Sequence, residues 1–342
     1  MTAAVESMLY VGEMPWHKLG KRFEEPPTTV EEALEAAGMD WRTGLVDLQT
    51  VPKDEQKDEE GNVIIPAHAG GLIVPGRATY RTDTGAPLGV VGLRYKPLQN
   101  VDAFKPFQPF LDAGEAFIET AGVLFDGKRV WILAKLNRDN AEVVPGDEIA
   151  KYLLLSHSHD GSLAVHYGLT AIRVVCANTE AMARSHNASS LFRLKHTENV
   201  GDKLDDISKI VNVADARFEA TVEQYRALAK RQISSKDLEK YVRVVLGVKE
   251  DEDEDEISTR KKNQMARLVQ LFEGGKGNDL PGVKGTWWAA YNAASEYLSH
   301  ERGRNEESRI NQLWFGQAAN TNQLALDAAV EMATGSLQVV AA

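Results

Sequence analysis

The stretch that decides the fold is residues 152–179, YLLLSHSHDGSLAVHYGLTAIRVVCANT. Residues 152–159 and 162–176 alternate with period 2 around Asp160-Gly161, so they are expected to pair as a long β-hairpin. The stretch holds three of the eight histidines and the single cysteine. His157 and His159 stand two apart and so share one face of a strand. His-x-His on a strand is a ligand geometry that a third histidine or a carboxylate would complete into an open zinc site. The simpler reading is an exposed polar hairpin tip, with Asp160 present for the turn. With His159 opposite Ser162, His166 is expected to pair near Leu155. Cys176 ends the apolar run IRVVC and reads as a buried, inert thiol rather than a nucleophile.

The same period runs through the residues before this hairpin. Strands are expected over 43–51 and 63–74. Two further hairpins are expected, 78–81 with 88–95 around TDTG (82–85), and 116–125 with 128–136 around Asp126-Gly127. Thr29 with Glu32 reads as a capping box and Gly38 as the stop of a short helix. Asn100 is placed to cap a helix over 101–113 that Pro106 and Pro109 break into pieces. After residue 179 the period becomes helical. Leu204, Ile207, Val211, Ala214, Phe218, Thr221, Tyr225 and Leu228 repeat with 3-4 spacing, a seam that serves a coiled coil or an ordinary bundle. Gly247 ends a helix, KEDEDEDE (249–256) is an acidic linker, and Thr286 caps a helix carrying Trp287 and Tyr291. The expected class is α+β: an antiparallel sheet of six or seven strands in consecutive hairpins with an inserted helix, then a helical C-terminal region. The expected units are an extended arm (1–28), a sheet domain (29–200) and a helical region (201–342).

The chain has 342 residues, 43% hydrophobic, enough for two cores. Its net charge is −11, but residues 151–250 carry 15 basic against 12 acidic side chains. An acidic whole disfavours unspecific nucleic-acid binding, and a basic middle leaves a local site open. A single cysteine suits a reducing cytoplasm, the N-terminus lacks the pattern of a signal peptide, and no apolar run approaches the ~20 residues of a membrane helix. The phosphate loop GxxxxGK[ST], HExxH and CxxC are absent, so no cofactor is expected.

Six segments carry a resemblance: PWHKLG (15–20), TGAPLGVVGLRYKPLQN (84–100), SHDGS (158–162), IRVVCANT (172–179), FRLKHTENV (192–200) and GTWWAAYNAASEYLSH (285–300). In this order, over about residues 10–335, they resemble the phage/plasmid-like protein family known as domain of unknown function 932. The resemblance implies a mobile-element origin and no established activity. The order of hairpins, inserted helix and small-residue helix is also similar, at the level of fold analogy, to the Rad52-like phage single-strand annealing proteins.

Basic residues interleaved with aromatics on a sheet make a stacking and phosphate-binding platform. Arg129, Trp131 and Lys135 share one strand face. Arg81 and Arg94, with Tyr80 and Tyr95, lie on the neighbouring hairpin, and Arg173, Arg193, Lys195 and His196 extend the surface. The expected function is a non-catalytic DNA-metabolism protein that binds single-stranded nucleic acid and self-associates. The alternatives are a metal-dependent enzyme using His157 and His159, and a host-interaction or structural protein.

Overall fold

A computed structural model describes residues 5–12, 20–49, 56–57, 59–60, 63–64, 73–137, 140–173, 191–196, 207–303, 312 and 317–335. The fold is α+β. Its strands are β1 (Val5–Val11), β2 (Lys21–Phe23), β3 (Thr43–Gln49), β4 (Gln56–Lys57), β5 (Val63–Ile64), β6 (Ile73–Arg81), β7 (Pro87–Val91), β8 (Ala116–Leu124), β9 (Arg129–Leu136), β10 (Ala141–Val144), β11 (Asp147–Ser158), β12 (Val165–Arg173) and β13 (Leu191–Leu194). Among the described residues they form an eight-stranded sheet, β13-β12-β11-β9-β8-β1-β2 with β10 on β11, a three-stranded sheet β3-β6-β7, and the pair β4-β5. Every pairing but β1 with β2 is antiparallel. The expected single sheet is thus two main sheets, because the hairpin at 82–85 pairs with β3 rather than with its successor β8. Residues 1–28, read as an arm, supply β1 and β2 to the large sheet.

The helices are α1 (Val30–Ala36), α2 (Asn100–Phe104), α3 (Gln108–Asp112), α4 (Ile207–Ala229), α5 (Ser235–Leu246), α6 (Thr259–Gly274), α7 (Trp287–Glu296) and α8 (Gln317–Thr334). Local signals set their ends. Thr29 accepts from the Glu32 amide (3.1 Å), and Gly38 (φ 64°) and Gly247 (φ 62°) take the left-handed conformation that stops a helix. Thr286 caps α7, accepting from the Ala289 amide at 3.2 Å. Pro106 and Pro109 split the inserted helix into α2, a 3-10 turn (Lys105–Phe107) and α3, as their missing amides require.

One face of the large sheet carries most of the packing. At one end Ile118, Val123, Ile132, Leu153 and Leu155 pack with Val30 and Leu34 of α1, Phe104 of α2 and Phe107 of the 3-10 turn. At the other end Ile149 and Ala171 pack with Phe218, Val222 and Tyr225 of α4 and with Trp288 and Tyr291 of α7. From Phe218 to Leu228 the 3-4 seam therefore packs within the chain; Leu204 and the side chains of Ile207, Val211 and Ala214 lie outside the described residues. α7 is buried on all sides, so its aromatics form the centre of the helical layer rather than one face. No helix among the described residues is long and apolar enough to cross a membrane.

Candidate functional site

The β11–β12 hairpin is central, but its tip differs from expectation in three ways. The connection spans residues 159–164 rather than two residues. Ser158 clamps it, its hydroxyl accepting from the Leu163 amide (2.8 Å) and donating to the Leu163 carbonyl (3.2 Å). The register pairs Ser156, not Leu155, with His166. A one-residue slip moves a side chain to the opposite face, so His166 is turned away from the His157 face. Finally, the histidines beside the tip are not exposed: His157 and His159 are fully buried, while Gly161 and Ser162 of the turn itself face solvent. The cause is the small sheet, which docks on the tip. A Cβ at Gly89 of β7 would stand 2.7 Å from the Asp160 Cβ, so only glycine lets β7 come this close.

His157 and His159 do share a face, with ring centroids 4.7 Å apart. His196, just beyond β13, closes on His157 at 5.6 Å and stacks on Tyr95 at 5.0 Å. Trp41 and Phe104 complete the enclosure. Asn100 does not cap its helix. Its amide donates to the Met39 carbonyl (2.8 Å), which leaves its own carbonyl to accept from His159 Nε2–H (2.8 Å). Nδ1 of His159 is then bare and accepts from the Thr43 hydroxyl (2.8 Å). His159 is thereby held as the neutral Nε2–H tautomer, with both nitrogens occupied by β3 and α2. Burial pushes its imidazole down to about 3, with His196 adding to the shift and Asp160 opposing it. Burial lowers His196 to about 4 against the Leu163 backbone and Asp160, and lowers His157 well below the ordinary value, with His159 and His196 adding. Among the described residues the ring nitrogens of His157 and His196 meet no hydrogen-bond partner of ordinary geometry. Among the described residues no group of three or more His, Cys, Asp or Glu side chains is placed to hold a metal.

The predicted nucleic-acid residues separate into an inner and an outer set. Trp131 is fully buried. Gly122 faces it so closely that an added Cβ would lie 2.5 Å from the Trp131 ring and 3.0 Å from the Ser7 carbonyl. Gly122→Ala is expected to cost about 1–3 kcal/mol by overpacking, read from the urea midpoint. Arg173 is fully buried and bonded to Asp147. These two side chains are inside the protein and present nothing to a nucleic acid. Arg81 is mostly buried, lying over the Trp41 ring (4.6 Å) and bonded to Asp83 (2.8 Å). Lys135 is half-buried on the face shared with Trp131, opposite Tyr152.

The segments that carry Arg94, Arg129 and Lys195 meet at the tip, with Asp160 facing Arg129. Arg94 and Lys195 are exposed, as is Lys96. The Lys96 amide donates to the His196 carbonyl (3.3 Å), and the Tyr95 hydroxyl donates to the Ser158 carbonyl (3.1 Å). Arg129, paired with Ser158 across β9–β11, donates to the Ser162 hydroxyl (3.3 Å). Arg193 lies opposite His166 on β13, with its side chain outside the described residues. Cys176 and Trp16 also lie outside them. Thr43, Trp41 and Asn100 carried no signal in the sequence that tied them to the histidines; the partnership joins residues 59 and 116 positions apart.

Residues 87–314 match the model of one protein family, described as domain of unknown function (DUF932). No curated protein and no solved structure matches the chain.

Proposed function

We propose a function for this chain, which belongs to the DUF932 domain-of-unknown-function family: it is a non-catalytic protein of phage or plasmid DNA metabolism that binds single-stranded nucleic acid at the β11–β12 tip. The observation that carries the reading is that the segments bearing Arg94, Lys96, Arg129 and Lys195 meet there, from positions up to about a hundred residues apart. Cations on a rigid rim suit a phosphodiester backbone, which is bound with release of counterions. The enclosed histidines hold that rim in place, because His196 anchors the Lys195 segment and His159 anchors β3. Annealing or recombination by an oligomer is part of this reading. The described seam on α4 is occupied by the chain's own core, so self-association would use another surface.

Fluorescence anisotropy with a labelled oligo(dT) strand tests it over a range of salt concentrations. Replacing Arg94, Arg129 and Lys195 together by alanine is expected to reduce the slope of log K against log salt by about 2, at ~0.7 per lost contact to a single strand. No binding by the folded wild-type protein at low salt would overturn the proposal. An unchanged slope in the triple variant would place the binding elsewhere.

A further inference from the structure

The small sheet has one face on the hairpin tip and one face in solvent. Thr43, Thr79, Arg81 and Val91 point inward and are buried. On the outer face Val46, Ala78 and Val90 lie in one cross-strand row, and Tyr80 pairs with Gly44 on the same face. The Tyr80 ring covers Gly44, where a Cβ would stand 2.4 Å from Tyr80 Cζ. An antiparallel sheet with a solvated face ordinarily places polar residues there. This one leaves Val46 51% and Val90 67% exposed, with Leu93 56% exposed in the turn that follows and Ile73 79% exposed at the start of β6. Four of the six large exposed hydrophobics among the described residues thus belong to this sheet and its exit turn. Such a concentration marks a binding surface.

Charge selects the occupant. The apolar face runs through Leu93 directly into exposed Arg94 and Lys96, with Lys195 beside them. A partner that is anionic along one edge and flat and apolar along the other fits both parts. Unpaired nucleobases on a phosphodiester chain have that form, whereas a duplex keeps its base faces stacked inside.

We propose that the outer face of β3-β6-β7 is a base platform, with Tyr80 stacking one unpaired base, Val46, Ala78 and Val90 supporting its neighbours, and the phosphates led toward Arg94. The inference rests on the phosphate-binding reading of the tip and adds to it the groups that select a single strand. No side chain of the row carries a hydrogen-bonding group for base edges, so sequence preference is weak.

The test compares oligo(dT), its duplex with oligo(dA), and an abasic sugar-phosphate strand of equal length, by anisotropy on the full chain. Wild type is expected to prefer oligo(dT) over both. Tyr80→Ala is expected to weaken oligo(dT) binding on the order of tenfold, with the salt slope unchanged, and Tyr80→Phe to restore it. The double variant Val46→Ser with Val90→Ser changes only exposed side chains and is expected to act in the same direction. Equal affinity for the abasic strand, or an unaltered Tyr80→Ala protein, overturns the platform while the phosphate reading stands. Absence of binding to every strand overturns both. Binding to phosphatidylglycerol vesicles but to no strand also overturns both, in favour of a membrane surface. A dimer by mass photometry that the double variant dissociates, with oligo(dT) affinity unaltered, assigns the face to self-association instead.

Discussion

Asp147→Ala is expected to destabilise the protein by about 3–5 kcal/mol, because it leaves a buried guanidinium without its counter-charge. Arg173 Nε and Nη2 donate to the two Asp147 carboxylate oxygens at 2.5 and 2.9 Å, and both side chains are fully buried. A third hydrogen bond reaches the carboxylate: Trp288 Nε1 of α7 donates to Asp147 at 2.7 Å. Arg173 also donates to the carbonyls of Lys276 and Gly277 at 3.0 Å each. The pair therefore joins the start of β11 and the end of β12 to the loop and helix of the C-terminal layer. Its removal by one partner is costly, whereas replacing both by apolar groups of similar volume is tolerated far better. Asp147→Leu with Arg173→Met is thus expected to recover much of the loss. Urea unfolding of the two variants checks this. A loss below about 1 kcal/mol in Asp147→Ala would mean that the pair is exchanged for water rather than buried.

Lowering the pH from 7 to 4.5 is expected to weaken the fold steeply. The three enclosed imidazoles are neutral in the folded protein, with His159 depressed to about 3, His196 to about 4, and His157 well below the ordinary value. In the unfolded chain they titrate near ~6.5. Below that value the unfolded state binds more protons than the folded state, so stability falls with pH by up to ~1.4 kcal/mol per unit for each histidine. The loss continues until the folded values are reached. Glu119 and Glu296 act in the opposite sense, since burial raises their carboxyls and acid favours the folded form. Asp160 faces the cluster and moderates it, raising His159 and His196. Urea midpoints across this range give the number of linked protons. His157→Phe removes an imidazole that has no ordinary hydrogen bond and sits beside Phe104, so it is expected to fold at pH 7 and to take about one proton out of the slope. A flat profile down to pH 4.5 would contradict a buried neutral cluster.

Much of the architecture follows from short-range physics and was readable. Alternation along β8, β9, β11 and β12 marks strands because successive side chains leave opposite faces. Thr29 and Thr286 start helices and Gly38 and Gly247 end them, because orphan amides need an acceptor and a left-handed residue needs no Cβ. The pair His157 and His159 was correctly placed on one face for the same reason. What those residues meet was not readable. Period 2 does not say which sheet a hairpin joins, so the 82–85 hairpin was assigned to the large sheet instead of to β3. Turn length sets register, and a connection at 159–164 in place of a two-residue turn moved His166 to the other face. Arg173 and Trp131 looked like a binding surface because residue type is local, but their burial depends on Asp147, Trp288 and the strands that close over them. The hairpin tip shows the division most directly. By itself the sequence determines that a histidine-rich turn ends a long hairpin. Only the tertiary structure decides that the imidazoles of His157 and His159 are interior while Gly161 and Ser162 stay in solvent, because Thr43, Gly89 and Asn100, far away along the chain, are brought against this end of the hairpin and exclude the water that would otherwise hydrate the rings.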